Sequence, residues 1–274
     1  MSVLGLCSIN ALDRPLAAVS ELAAAAGFDA LEVTARPPHL DPEAGTIAAR
    51  EQGRIVREVG IDVVAYGSYL GRFEQTEVRH AHREVGLAAA LETPLLRVWA
   101  EPVGADPEDI EPTLAWLIPA CDAAASEGIT VVVERHLGSF ADTPKRIAGL
   151  FDRVDRPNLA LNYQALDALP QEQVDAQAAD CRELVGRAKY FHLKNYRAPD
   201  DGGPLQPGGS LENGALDYCA ILSAARDRGY EGPLTLEFLS WDPISTEEKV
   251  ARDIAYLRKL LAEVRSNADG GGTP

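Results

Sequence analysis

Val131-Val132-Val133-Glu134-Arg135-His136 is the stretch of sequence that decides the fold. Three consecutive β-branched residues favour a strand that is buried on both faces, as strands of parallel sheets are. The strand runs directly into a carboxylate, a guanidinium and an imidazole. An acid at the end of so apolar a strand is paired, solvated or bound to a metal ion. The stretch therefore predicts a parallel strand with polar groups at its carboxyl end.

Three later apolar segments, at 160–164, 190–194 and 234–238, also end in polar residues. Side chains alternate between the two faces of a strand, so residues two apart share a face. This alternation pairs Val132 with Glu134 and leaves two amides on one face of the 160–164 segment. Parity therefore cannot choose between those amides as ligands. The polar residues of the three segments are Asn162, Gln164, His192, Lys194 and Glu237.

Strand and helix patterns alternate eight times, at intervals of roughly 30 residues, which predicts a parallel α/β sheet. Polar groups collected at the strand ends favour a closed (β/α)8 TIM barrel, a fold of about 250 residues. We expect one domain over residues 1–265 and a disordered tail over 266–274. The Gly/Pro-rich segment 200–214 is either a substrate-covering loop or a plain solvated loop. Strands are predicted at 3–7, 30–33, 61–66, 95–99, 130–134, 159–163, 189–194 and 234–238. Helices are predicted at 13–26, 43–59, 74–91, 109–126, 143–152, 170–186, 215–228 and 245–264.

Composition limits the classes of partner. The 274 residues carry a formal net charge of −16, which disfavours nucleic acid and anionic membranes. Four widely spaced cysteines without a CxxC pair are typical of a reduced protein, and the opening residues lack the basic region of a signal peptide. We therefore expect a cytoplasmic protein with a small-molecule partner. The sequence leaves open whether the protein forms a homo-oligomer.

The polar strand ends also predict a metal site. Two carboxylates, one imidazole and one amide oxygen are a ligand set for a divalent cation. Oxygen-rich ligation with one nitrogen suits Mn²⁺ best, with Mg²⁺, Co²⁺ and Zn²⁺ as alternatives. The competing interpretations are a salt-bridged strand end for Glu237, a hydrogen-bonded core histidine for His192 and a loop-capping amide for Gln164.

At these residues the chain resembles the xylose isomerase-like TIM barrel superfamily, in particular the sugar phosphate isomerase/epimerase group. The similarity extends over essentially the whole chain. Each motif is short, and it is their order and spacing that make the resemblance specific. The four similar segments are Ala26-Gly27-Phe28-Asp29-Ala30-Leu31-Glu32-Val33, Val133-Glu134-Arg135-His136, Phe191-His192-Leu193-Lys194-Asn195 and Gly229-Tyr230-Glu231-Gly232-Pro233-Leu234-Thr235-Leu236-Glu237.

The resemblance implies roles for individual residues. Glu134, His192 and Glu237 match metal ligands, and the two glutamates also match groups that transfer protons. The resemblance implies substrate contacts for His136 and Lys194, and a position at the active-site mouth for Glu32.

The chain departs from the family pattern at two positions. Where the family usually has an Asp ligand, this chain has only the amides Asn162 and Gln164, of which Gln164 is the predicted fourth ligand. Asn195 also stands where Asp is usual. Loss of the Asp removes one negative charge from the ligand set, which is expected to weaken metal binding.

The predicted function is a metal-dependent isomerase or epimerase that acts on a small polyhydroxylated carbonyl compound, a sugar or cyclitol, through an enediolate. Glu134 and Glu237 are the predicted acid–base pair. A lyase or dehydratase on the same scaffold is one alternative. The other is a non-catalytic barrel that binds a small ligand or a partner subunit, which the missing Asp favours.

Overall fold

The computed structural model describes residues 2–104, 106–166, 170–199 and 202–269. Eight parallel strands close into a barrel, in which β1 pairs with both β2 and the last strand, β10. The predicted TIM barrel is therefore confirmed. The barrel strands are β1 (Leu4–Cys7), β2 (Ala30–Thr34), β3 (Asp62–Gly67), β4 (Leu95–Val98), β5 (Thr130–Glu134), β6 (Leu159–Tyr163), β7 (Ala188–Leu193) and β10 (Leu234–Leu236).

Helices follow the strands and cover the outside of the barrel. The third helix begins at Val78 instead of the predicted residue 74, because Glu77 caps it in a reciprocal pair with His80. The predicted helix 170–186 is shorter, since only a 3₁₀ turn (Gln171–Gln173) precedes α6. The helices are α1 (Leu16–Ala26), α2 (Gly45–Glu58), α3 (Val78–Leu91), α4 (Glu111–Ser126), α5 (Pro144–Val154), α6 (Gln177–Leu184), α7 (Tyr218–Asp227) and α8 (Thr246–Asp269).

The last helix corrects the predicted disordered tail. Helix α8 continues to Asp269, so residues 266–269 are helical. Residues 270–274, the rest of the predicted tail, lie outside the described residues. Within the part of the chain that the structure describes, none of the helices combines the length and apolar character needed to cross a bilayer.

Sequence reasoning missed an antiparallel hairpin of β8 (Asn195–Arg197) and β9 (Gln206–Gly209), so the described part of the segment, 202–214, is not a plain solvated loop. Residues 200 and 201 lie outside the described residues. Asn195 holds the start of the hairpin in place. Its Nδ2 donates to the carbonyls of Leu211 and Leu216, and its Oδ1 accepts from the backbone N–H groups of Tyr196 and Leu216. An ionised Asp cannot donate, so the Asn at this position serves the hairpin.

The inside of the barrel follows the predicted alternation. Its lower layer is apolar, and the next inward residue on several strands is polar or charged. The apolar cluster consists of Ala30, Val64, Ala65, Leu95, Val132, Ala160 and Tyr190. Two residues further along the strands lie Glu32, Arg97, Glu134, Asn162 and His192, all buried. The carboxyl end of the barrel therefore encloses a charged layer on an apolar base.

Candidate active site

A cavity of about 580 Å³ opens at the carboxyl ends of the barrel strands. This volume is in the range of small-molecule sites, and active sites of TIM barrels lie at this end. Charged side chains line its inner part and aromatic side chains much of its mouth. The lining residues are Ile9, Arg36, Tyr69, Arg72, Phe73, Gln75, Arg97, Trp99, Glu134, His136, Lys194, Glu237 and Phe238. Another cavity, of about 380 Å³, lies against α7 and α8 and contains none of these residues.

His192 lies fully buried among the carboxylates of the charged layer. Its Nε2 is 2.6 Å from Glu32 Oε2, and Tyr190 donates a hydrogen bond to the same oxygen at 2.7 Å. Its other nitrogen, Nδ1, lies 3.4 Å from Glu237 Oε2 and 4.0 Å from Glu134 Oε2. A carboxylate on one ring nitrogen orients the imidazole and its tautomer. Glu32 therefore directs His192 Nδ1 at the two glutamates.

Each of those glutamates is also paired with a buried cation. Lys194 Nζ lies 3.1 Å from Glu237 Oε2, and Arg97 Nη1 lies 3.1 Å from Glu134 Oε2. Arg97 Nη2 reaches Glu32 Oε1 at 3.3 Å, so this guanidinium bridges two carboxylates. Buried carboxylates keep their charge only with such partners. The three carboxylates of the layer are thus each paired with a cationic or protonatable side chain.

Gly67 on β3 makes room for the bridging guanidinium. A Cβ at this position would overlap the Glu32 carboxylate and the Arg97 guanidinium. A residue without a side chain is therefore needed where β3 passes the pair.

The two amides predicted at the end of β6 contact the cluster through their nitrogens. Asn162 Nδ2 lies 3.2 Å from His192 Nδ1, and Gln164 Nε2 donates to Glu134 Oε1 at 2.9 Å. Gln164 Nε2 also donates to the Arg135 carbonyl at 2.8 Å, which fixes its orientation. The amide oxygens of Asn162 and Gln164 are buried without a hydrogen-bond partner.

The arrangement fits a divalent cation by its donor chemistry. One ligand atom each from Glu134, His192 and Glu237 lie within 4.8 Å of one another, so the three residues could hold a metal ion. Buried polar atoms without partners are rare in native proteins and call for an explanation. The amide oxygens of Asn162 and Gln164 are two such atoms, and an amide oxygen is a ligand type that divalent cations accept. The identity of the ion is not fixed by these residues.

The pKa values follow from these contacts. Burial alone would lower the pKa of His192, but Glu237 and Glu32 raise it to about 10. Burial would raise the pKa of Glu32, yet His192 and Arg97 lower it to about 2. Burial raises the pKa of Glu134 despite Arg97, whereas Lys194 and His192 outweigh burial and lower the pKa of Glu237. The two glutamates therefore differ in proton affinity, as the members of an acid–base pair often do.

The remaining predicted residues are placed as follows. His136 and Lys194 line the cavity, and the His136 ring packs edge-on against Trp99 with 5.0 Å between centroids. Glu32 does not line the mouth as expected. It lies buried behind His192, because it stands two residues before the end of β2, at the level of the charged layer. Arg135 points away from the cavity and pairs with Asp180 on α6 at 2.6 Å.

Comparison with known proteins identifies the family. Residues 20–260 match the family described as xylose isomerase-like TIM barrel. The chain belongs to this family. The resemblance stated on the sequence motifs is thereby confirmed for most of the chain.

Several of the similar proteins are named as isomerases or epimerases, and one is named as a probable 3-DHS dehydratase. A putative hydroxypyruvate isomerase of Mus musculus is 30% identical over 116 residues, which are 37% of this chain and 36% of the relative. The match thus spans about a third of that relative's length. An L-ribulose 3-epimerase superposes with a TM-score of 0.78 at 16% identity, covering 100% of this chain and 99% of that one. A xylose isomerase-like TIM barrel protein from Mycobacterium smegmatis, solved in complex with magnesium, superposes with a TM-score of 0.66 at 17% identity, covering 92% and 90%.

Arg97 is the site residue that sequence reasoning missed. It stands inside the apolar strand Leu95-Leu96-Arg97-Val98, and the alternation used for Glu134 would have directed it inward. A guanidinium in such a strand needs a buried carboxylate, so the sequence held that signal. Arg36 and Arg72 come from loops, where no periodicity predicts the direction of a side chain.

Proposed function

We propose that this barrel is a metal-dependent isomerase or epimerase of a small polyhydroxylated carbonyl compound. The observation that carries the proposal is the position of two carboxylates, on Glu134 and Glu237, beside His192 Nδ1 and in the wall of one cavity. The family and the epimerase among the solved structures support this class of reaction. A sugar or cyclitol of a few carbons fits a cavity of about 580 Å³.

The cation would be held by Glu134, His192 and Glu237 with one amide oxygen. The sequence favoured Gln164 for that oxygen; we propose Asn162 instead, because its amide group lies 3.2 Å from His192 Nδ1. We propose Mn²⁺ as the ion, with Mg²⁺, Co²⁺ and Zn²⁺ as alternatives. A bound divalent ion supplies Lewis-acid stabilisation of developing negative charge on the substrate's oxygens.

The protein's own groups would move the proton. Through an enediolate, isomerisation and epimerisation both begin with removal of a proton from the carbon next to the carbonyl, and one glutamate would remove it while the other returns it. Lys194 favours the charged form of Glu237, whereas burial raises the pKa of Glu134 despite its pairing with Arg97. His136, at the wall beside Trp99, would contact the substrate.

The test is a screen of ketoses, inososes and keto acids with Mn²⁺ in D₂O, followed by NMR. The proposal expects an isomer or epimer with deuterium on the carbon next to the carbonyl, and loss of the reaction when a chelator is added. A dehydrated product would assign the lyase alternative. If no compound is turned over and protein purified without chelator contains no divalent metal, the non-catalytic barrel is the better description.

A further inference from the structure

The cavity has an excess of cationic side chains although the chain as a whole is strongly acidic. Among the described residues that line it, four are cationic and two are carboxylates, in a chain of net charge −16. Lys194 and Arg97 are paired with the two lining carboxylates, as described above. The other two cations, Arg36 and Arg72, lie in the loops above β2 and β3. Arg72 is paired with Glu101, so among the described lining residues the positive charge left without a carboxylate is that of Arg36, at the mouth.

Arg36 carries that excess most directly. No carboxylate among the described residues pairs with its guanidinium, and within the same residues its side chain forms no hydrogen bond. Its backbone is nevertheless fixed, because its N–H donates to Thr34 O at 2.8 Å and its carbonyl accepts from the N–H of His39 at 2.9 Å. The Arg36 side chain is exposed at the cavity wall, so its N–H groups are open to a ligand, and a guanidinium binds a carboxylate or a phosphate through two parallel N–H bonds.

Arg72 is held rigidly at the same mouth. Its guanidinium lies 4.1 Å from the Trp99 ring and 5.1 Å from the Phe73 ring, and Nε lies 3.0 Å from Glu101. Stacking on aromatic faces immobilises an arginine and leaves its edge available for hydrogen bonds. Arg72 therefore presents an orientated cation to the cavity that also contains Arg36.

Backbone strain at the mouth is an independent sign that this region is built for a ligand. Among the residues that the structure describes, four that are not glycine have positive φ, and two of them, Glu92 and Asp155, end helices in the left-handed conformation. The others are Phe73 (φ 55°) and Phe238 (φ 53°), which both line the cavity. A bulky residue rarely adopts this conformation, and such strain concentrates at ligand clamps. Each ring covers a lining cation: Phe73 covers Arg72, and Phe238 lies 5.2 Å from Lys194 Nζ.

We propose that Arg36 and Arg72 bind an anionic group, a carboxylate or a phosphate, on the substrate, with the Phe73 ring beside it. The carbonyl end of the same molecule reaches Glu134 and Glu237 in the inner part of the cavity. This inference rests on the proposed function for the reacting end and adds that the substrate is an acid or phosphate ester of a polyhydroxy carbonyl compound, not a neutral sugar.

The test compares three ligands that share a three-carbon skeleton: glycerol, D-glycerate and glycerol 3-phosphate. Binding is measured by calorimetry or ligand-observed NMR without added metal, so the outcome does not depend on turnover. At least one anion is expected to bind more tightly than glycerol, and the tighter of the two anions identifies carboxylate or phosphate as the group. Arg36→Gln should weaken the binding of that anion about ten- to a hundredfold, which corresponds to the loss of a charge-assisted hydrogen bond. Arg36→Lys should lose less of the affinity for the anion.

Arg50→Gln is the matched control, because Arg50 is exposed on α2 and does not line the cavity. The control should bind the anion as the wild type does, and both Gln variants should unfold at the wild-type denaturant midpoint. The inference is overturned if glycerol binds as tightly as both anions, if no anion binds, or if Arg36→Gln leaves anion affinity unchanged. An anion preference that persists in a protein without metal-dependent proton exchange would refute the proposed reaction and leave this subsite standing.

Discussion

Glu134→Gln is the substitution that examines the proposed acid–base chemistry most closely. Glu134 accepts from Gln164 at Oε1, 2.9 Å away, and Oε2 lies 3.1 Å from Arg97 Nη1. Gln164 donates to this carboxylate and Arg97 forms an ion pair with it, so a neutral amide can keep the hydrogen bond but loses the ion pair. The NH₂ group of the variant must then face a donor in a buried site, which costs about 1–3 kcal/mol. This is less than the stability of a typical domain, about 5–15 kcal/mol, so the variant should fold.

The effect on turnover should be larger. The amide oxygen can still coordinate a cation, but the side chain can no longer accept a proton. A correctly placed general acid or base contributes about 10²–10⁴-fold in rate, so turnover at saturating Mn²⁺ should fall by at least about a hundredfold. The assay follows deuterium uptake from D₂O by NMR, with metal content measured on the same sample.

Glu84→Gln is the control for the structural cost of the change. Glu84 is also fully buried, accepts from Tyr66 OH at 2.6 Å and pairs with Arg83 at 2.8 Å, but does not line the cavity. Its substitution should lower the denaturant midpoint and leave turnover per folded protein unchanged. If Glu134→Gln loses no more turnover than Glu84→Gln at equal metal occupancy, Glu134 does not transfer the proton.

Three further predictions concern the cluster. His192 should titrate in NMR spectra with a pKa of about 10 instead of 6.5, so its charge should stabilise the fold fully below pH 6.5 and progressively less as the pH rises through 10. Adding Mg²⁺ should remove its Nδ1 proton at neutral pH. A titration near pH 6.5 would show that the carboxylates do not act on His192. Asn162→Asp should tighten Mn²⁺ binding in calorimetry, because an ion–ion contact replaces an ion–dipole contact, whereas a gain confined to Gln164→Asp would assign the fourth ligand to Gln164. Gly67→Ala should lower the free energy of unfolding by about 1–3 kcal/mol, because the added Cβ overlaps Glu32 and Arg97. Gly149→Ala in α5 should not lower it, because a Cβ there meets nothing within 4 Å. Equal denaturant midpoints for the two variants would refute the close approach at Gly67.

The barrel could be predicted from the sequence because its signals are local and repeated. Val131-Val132-Val133 and its counterparts are apolar runs of strand length, and glycines such as Gly27 end the helices between them. Helix limits were less accurate where a side-chain contact decides them, as at Glu77, and α8 outlasts its apolar pattern up to Asp269. The hairpin β8–β9 carries little alternation, since Gln206–Gly209 contains one proline and two glycines.

The candidate site was predictable only along the strands. Alternation from Val132 to Glu134 gave the inward direction of Glu134, and the structure brings this carboxylate together with His192 and Glu237. Contacts between strands are not encoded in the spacing of any one strand. The hydrogen bond of Glu32 to His192 and the bridge of Arg97 to Glu134 connect residues 160 and 37 positions apart, so they required the closed barrel. Loop residues such as Arg36 and Phe73 had no periodic signal at all.

The central claim is that a divalent cation binds between Glu134, His192 and Glu237. The most direct measurement is a crystal structure grown with Mn²⁺, with the ion located by its anomalous scattering. We expect one peak at about 2.0–2.2 Å from His192 Nδ1 and from an oxygen of each glutamate. A map in which Lys194 and Arg97 still pair with both carboxylates, with Mn²⁺ absent from the barrel or bound only at its surface, would contradict the account.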